Sequence, residues 1–302
     1  MAGSPSNPTR RVIAVLDFLA QHPLRTFTLT ELAQGVGISK STLHALVETL
    51  VEAGYLLREN ESKQFRLGPV LAGIGTAALG RRGHLIGVLR PAMEKVAAEL
   101  NSHCVVSADF DNWIVPLAHA GDPTHVTTLF RVGARANPFT PPMGVLFLPG
   151  RPMADIQEWL SRAQPPLLPN EIELNLSALE HLRSAGFLAT ARLDVKARME
   201  RAFDGLDSSF RTEDPVLVQE MIAEMRRSRY LILDYRQPEP QDVDWIGIPL
   251  LDDAGRVELA FVVLNLPRKL TGPDILDVAR RMRESIVNLS GVRTLDAPSS
   301  RT

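Results

Sequence analysis

The chain has 302 residues, 45% of them hydrophobic and 23% charged, with a formal net charge of −2; this is ordinary globular composition at a length that favours two domains. A single cysteine, Cys104, excludes an intrachain disulfide and a cysteine-based zinc cluster. No stretch reaches the roughly 18–20 uncharged apolar residues of a membrane span, and Met1–Thr9 hold no signal-peptide core, so a cytoplasmic protein without membrane contact is expected.

Charge is unevenly spread. Residues 1–82 carry nine Lys/Arg against six Asp/Glu, and the remainder carries 24 against 29. A mildly basic amino end on an acidic body fits contact with nucleic acid through the first part only.

In chain order, residues 1–9 read as a disordered arm. From Arg10, Val12, Val15, Leu16 and Leu19 recur at helical spacing, and His22-Pro23 ends the helix. Phe27 to Leu29 reads as a short strand. Thr28 with Glu31 forms a capping box that starts a short helix, Thr30 to Gly35. After the turn Gly35-Val36-Gly37, Ser39 caps a third helix from Lys40 to about Ala53, stopped by Gly54. Tyr55–Arg58 and Phe65–Leu67 around the polar loop Glu59–Gln64 predict a β-hairpin. Val70–Leu79 predicts a linker helix, broken at Arg81-Arg82-Gly83, and Leu85–Leu100 predicts a further helix. Gly73-Ile74-Gly75-Thr76-Ala77-Ala78 spells a dinucleotide fingerprint but has no βαβ unit around it, so helix packing is the better reading.

Beyond His103, strands and turns alternate with helices. Cys104–Asp109 and Trp113–His119 flank Asp111-Asn112 as a hairpin, and Val126–Val132 reads as a strand. Asn137–Gly144 is a Pro-rich loop. Met153–Arg162, Leu176–Ala185, Pro215–Arg227 and Asp274–Leu289 predict helices, and Ile246–Leu251 with Val257–Leu264 predict a second hairpin. The mixture argues an α+β domain. The expected division is an arm (1–9), a winged helix-turn-helix (10–68), a linker helix (69–82), a larger domain (83–293) and a tail (294–302).

Three helices followed by a hairpin is the winged helix-turn-helix order, which predicts binding to double-stranded DNA. The third helix has an apolar stripe of Leu43, Leu46, Val47 and Leu50, which turns Ser41, Ala45 and Glu48 outward with Thr42 and His44 on the flanks. Hydroxyl groups near a helix N-terminus suit phosphates and base edges. The candidate DNA contacts are Thr28, Ser39, Lys40, Ser41, Thr42 and His44, with Arg58, Lys63 and Arg66 of the wing on phosphates. The alternatives are an adaptor that uses the winged helix to dock a protein, and an enzyme acting through residues such as His103, Cys104 and Asp109. Adjacent His103 and Cys104 point to opposite faces of a strand, and no nucleophile elbow, phosphate loop or paired-carboxylate site emerges. No cofactor and no metal site is expected; His119 and His125 lack metal-ligand spacing.

The segments Arg11–Leu19, Thr28–Ala33, Gly37–His44, Leu50–Tyr55 and Phe65–Gly68 resemble the IclR family of bacterial regulators. The resemblance continues through Arg131–Arg135, Pro138, Met143-Gly144 and Ile248–Val257, and so covers most of residues 10–293. It implies a GAF-like C-terminal domain that binds a small-molecule effector, and a homodimer or a dimer of dimers (homotetramer) on a palindromic operator. It also implies an effector wall including Met143, Gly144, Trp245, Val262 and Leu264. The family's acidic position falls on either Thr190 or Asp234. Larger apolar residues than usual at Trp245, Val262 and Leu264 suggest an aromatic or alicyclic acid, or a lipid-derived metabolite. The chain departs from the family pattern at Ala45, where arginine is common, at Val145 in place of lysine, and in the long segment Thr190–Val243.

Overall fold

A computed structural model describes residues 7–110, 113–121, 131–139, 143–193, 215–228 and 230–295. The chain divides into two compact units: the first ends at Gly83 and the second begins at His84.

The first unit is three helices and a hairpin. α1 (Asn7–Ala20) starts earlier than expected, so residues 7–9 of the predicted arm are helical. α2 (Leu29–Val36) begins at the predicted capping box: Thr28 Oγ1 accepts from the Glu31 N–H, and the Glu31 carboxylate accepts from the Thr28 N–H at 2.7 Å. Those exchanges satisfy end amides that the helix itself leaves open. Gly37 follows in the left-handed region (φ 68°), where its lack of a Cβ removes the strain, and turns the chain into α3 (Lys40–Glu52). Residues 27–29 form no strand; Phe27 makes an isolated bridge to Phe65. β1 (Leu56–Arg58) and β2 (Phe65–Leu67) pair antiparallel. Val15 and Leu19 of α1, Leu32 of α2, Leu43, Val47 and Leu50 of α3, and Leu56 and Phe65 of the wing form one buried core.

α4 (Val70–Leu79) has the predicted bounds and buries no residue. The break after it falls at Gly80 (φ 52°, ψ −131°), not at Arg81-Arg82-Gly83. Only glycine takes that backbone shape without strain, and the two arginines open α5 (Arg81–Leu100).

The second unit is built on an antiparallel sheet. Its strands are β3 (His103–Phe110), β4 (Trp113–Ala120), β5 (Leu188–Ala191), β6 (Leu231–Ile232), β7 (Val243–Leu251), β8 (Val257–Leu264) and β9 (Arg293–Thr294). The order is β4-β3-β8-β7-β5-β6, with β9 added on β7. Every residue from Leu259 to Leu264 is buried, so both faces of β8 are covered. One face meets a 3₁₀ helix (Met143–Phe147), α6 (Met153–Ser161) and α7 (Pro169–Ala185), with Trp159, Leu179 and Leu182 against Val105, Trp245, Val262 and Leu264. The opposite face carries Cys104, Val106, Phe261, Val263 and Ile246. α9 (Gly272–Ile286) packs against β7 and buries Ile275, Val278, Ala279, Met282 and Ile286. α8 (Pro215–Arg227) has the predicted bounds.

Three further expectations shift. α7 starts seven residues before Leu176, because Pro169 at its first turn and the Glu171 carboxylate on the Leu168 N–H cap it without a Ser or Thr signal. α9 ends at Ile286 rather than Leu289. Residues 131–132 of the predicted strand Val126–Val132 are not strand, and the rest of it lies outside the described residues, as do Asp111-Asn112 and His125.

The N-terminal core yields a direct test. Leu43 is fully buried against α1, α2 and the wing, so Leu43→Ala should destabilise that unit by about 2–5 kcal/mol. Urea unfolding followed by circular dichroism should show an early transition for the variant; an unchanged profile would contradict this packing.

Candidate functional site

α3 turns its apolar stripe inward and its polar side outward. Leu43, Val47 and Leu50 are buried, while Ser39, Lys40, Ser41, His44, Ala45, Glu48 and Thr49 are exposed and Thr42 is half-buried. Ser39 caps the helix: its Oγ accepts from the Thr42 N–H, donates to Thr42 Oγ1 at 2.9 Å and lies 3.3 Å from Ser41 Oγ. Three hydroxyls therefore cluster at the helix N-terminus, where the helix dipole favours an anion. Lys40 stands beside them.

The wing presents its cations less freely than the sequence implied. Arg58 reaches back to Glu48 of α3 at 3.2 Å, and His44 lies 3.9 Å from the same carboxylate. Arg66 lies 3.9 Å from Glu59, and Lys63 is exposed at a left-handed position (φ 56°) in the wing turn. The predicted contacts from Ser39 to His44 thus share one exposed surface with Arg58. Thr28 sits apart, engaged in the cap of α2, where Oγ1 donates to Glu31 at 2.7 Å. The role of Glu48 as a carboxylate amid this surface was missed; its outward position was readable from the helical spacing, but its bond to Arg58 needs the hairpin.

Five of the predicted effector residues converge on one face of the sheet in the second unit. Met143, Trp245, Val262 and Leu264 belong to one buried core, and Thr190 pairs directly with Trp245, which pairs with Leu264. Cross-strand partners point to the same face. Leu146 of the 3₁₀ helix covers Gly247, where a Cβ would come within 2.7 Å of its Cδ1. Gly144 is pressed between Pro138 and Trp159, 2.8 and 2.5 Å from where its Cβ would lie. This face is closed by side chains. Three polar atoms on it, the Ser107 and Thr190 hydroxyls and the Trp245 indole nitrogen, are buried with no hydrogen-bond partner. Asp234 is elsewhere: it follows β6 and takes hydrogen bonds from the Arg236 side chain and N–H, which hold its carboxyl below the usual range.

The residues of the enzyme alternative take other parts. His103 faces the same side as Leu264, and Cys104 the opposite one. Burial pushes the Cys104 thiol well above its ordinary pKa, which removes it as a nucleophile at neutral pH. Asp109 holds Arg151 at 2.5 Å, and Arg151 Nε donates to the Phe147 carbonyl at 3.0 Å. That relay ties the end of the 3₁₀ helix to β3. Among the described residues no group of three His, Cys, Asp or Glu could hold a metal ion, and no helix is long and apolar enough to cross a membrane.

With this geometry in place, residues 8–59 match the IclR helix-turn-helix domain. The chain is 26% identical over 157 residues to the HTH-type transcriptional regulator KdgR of Dickeya chrysanthemi, a stretch covering 51% of this chain and 50% of that protein. The chain thus spans about half the length of the curated relative it matches. Among solved structures, the fold is similar to the Thermotoga maritima IclR (TM-score 0.55, 17% identity, 92% of this chain and 95% of that one). It is also similar to an IclR homolog from Microbacterium hydrocarbonoxydans complexed with 4-hydroxybenzoate (TM-score 0.54, 18% identity, 93% and 97%).

Two outcomes are expected from this geometry. Glu48→Gln releases Arg58, so binding to duplex DNA should strengthen, and the slope of log affinity against log salt should steepen by up to about 0.9 for one added phosphate contact; fluorescence anisotropy across salt concentrations reads both, and a flatter slope would contradict the Glu48–Arg58 tether. Thr190→Val replaces a buried hydroxyl without a partner by an isosteric methyl and should stabilise the second unit by about 1 kcal/mol. A lowered midpoint in thermal unfolding would show that the hydroxyl has a partner after all.

Proposed function

Since residues 8–59 match the IclR helix-turn-helix domain, we propose that the chain is an IclR-type, cytoplasmic, ligand-responsive transcriptional regulator that binds double-stranded operator DNA through α3 and the wing. The observation that carries this reading is the exposed Ser39–Thr42 hydroxyl cluster with Lys40, held outward by the buried Leu43, Val47 and Leu50 stripe. A helix so oriented fits a major groove with its N-terminal residues toward phosphates and base edges. Ser41, Thr42 and His44 would face bases. Lys40, Arg58, Lys63, Arg66 and, at the start of α2, Thr28 would hold phosphates. With Ala45 in a position where the family commonly has arginine, the hydroxyls and the wing carry more of the contact.

The regulator works as a homodimer, or as a homotetramer built from two such dimers, on a palindromic operator. α4 supports self-association: Val70 and Ile74 are 39% and 45% exposed on a helix that is almost wholly apolar and buries nothing within its own chain. A second copy of α4 is the occupant of matching chemistry and symmetry.

The effector is a small organic acid, aromatic or alicyclic, that enters between the 3₁₀ helix and the sheet. Support comes from two neighbouring orphaned groups on that face. The Thr190 hydroxyl and the Trp245 N–H are both donors, and a carboxylate would accept from both while its ring replaces Met143 and Leu146 against Val262 and Leu264. Entry requires the 3₁₀ helix to leave the sheet. The effector therefore selects an open state over the closed one, and the linker segment 69–82 passes the shift to the spacing of two recognition helices. The chain carries out no catalysis in this scheme.

The test is a gel shift with duplex DNA flanking the protein's own gene. Selective binding should weaken steeply between about 50 and 200 mM salt and change when benzoate or cyclohexanecarboxylate is added. Ile74→Glu should convert the dimer to monomer in sedimentation and weaken operator binding by more than about tenfold. Absence of salt-sensitive, sequence-selective binding by the unaltered chain would overturn the regulator reading.

A further inference from the structure

One carboxylate stands among the hydroxyls and cations of the α3 surface. Ser41, Ala45 and Glu48 follow one another at i, i+4 and i+7 along the outward line of the helix, opposite the buried Leu43, Val47 and Leu50, and all three are exposed. Ser41 and Ala45 are short. Glu48 therefore has the longest reach on that line, and what it extends is an acceptor.

Its position is built from the wing. Arg58 of β1 lies over the ring of the buried Phe65, 5.5 Å from its centroid, and its Nη1 donates to Glu48 Oε1 at 3.2 Å. His44, one turn earlier on α3, lies 3.9 Å from the same oxygen. Both contacts fall on Oε1. Nearly half of the Glu48 side chain is exposed, and among the described residues Oε2 accepts no hydrogen bond. The carboxylate is thus held at one oxygen and keeps acceptor capacity at the other.

A fixed negative charge on a face that meets phosphates is costly by charge alone. The cost is offset where the carboxylate meets a donor. In the major groove two bases present one: cytosine its N4 amino group and adenine its N6 amino group. Adenine sets the N7 acceptor beside its donor, and that atom repels a carboxylate oxygen. Cytosine presents the donor without an acceptor of its own.

We propose that Glu48 reads a cytosine in each half of the operator by accepting from its N4 amino group, and that Arg58 is the positioning residue for that carboxylate. This rests on the reading of α3 as the groove-facing helix and adds a base identity to it. Arg58 orders the carboxylate before DNA arrives, so less side-chain freedom is lost on binding. Its remaining N–H groups can still meet a phosphate.

Selection from a randomised duplex library by the full chain, followed by anisotropy on the selected duplex and its single-base variants, tests this. The unaltered chain should select a motif with one cytosine per half-site, whose replacement by any other base weakens binding by about fivefold or more. Glu48→Gln supplies an amide whose donor and acceptor match adenine N7 and N6. It should strengthen binding to duplexes in general but move the preference at that position from cytosine to adenine. Glu48→Ala should bring the four bases there within about twofold of one another while the rest of the motif is kept. Arg58→Ala should narrow the cytosine preference as well as weaken binding, whereas loss of a phosphate contact alone weakens all four bases equally. A motif unchanged by both Glu48 substitutions would overturn the base contact, and an intact cytosine preference in Arg58→Ala would overturn the positioning role. Failure of the unaltered chain to select any motif would instead bring down the regulator reading itself.

Discussion

The burial of Leu43, Val47 and Leu50 against α1, α2 and the wing governs what the N-terminal unit can present. A helix has one radial orientation once its apolar stripe is fixed, so the hydroxyls at its start have no choice but to face outward. The caps act on the same element. Ser39 sets where α3 begins and therefore which residues lie in its first turn, and Gly37 sets the angle at which the chain enters it. A core contact, a cap and a turn thereby specify a surface chemistry.

In the second unit the governing constraint is a sheet that is buried on both faces. Covering the face that carries Trp245 takes three helices, and the shortest of them is held by two small devices: a glycine at 247 under Leu146, and the Asp109–Arg151–Phe147 relay at its end. Tight packing leaves the Thr190 and Trp245 polar groups without partners. Such atoms are expensive in an apolar interior, and they mark where a polar ligand would be most welcome.

Much of this was legible in the sequence where the signal is local. The Thr28–Glu31 box, the Ser39 cap, the hairpin of the wing and the bounds of Val70–Leu79 and Pro215–Arg227 rest on residues within a few positions of one another. The break after α4 is not where the charged Arg81-Arg82-Gly83 suggests, because a glycine with positive φ makes it. β5, β6 and β9 were not anticipated; at four, two and two residues they carry no periodicity of their own. The alternatives Thr190 and Asp234 could not be separated along the chain. Pairing across β5 and β7 puts Thr190 beside Trp245, while Asp234 turns to Arg236.

Cys104 gives the molecule an internal clock. The chain's single thiol sits on β3 between Ala120 of β4 and Val263 of β8, one strand in from the end of the sheet and wholly shielded. Reagents that modify thiolates reach it only when those strands separate, so the pace of labelling under native conditions measures how often the sheet opens. Whatever tightens or loosens the second unit is then readable from one atom, without adding any label of foreign origin.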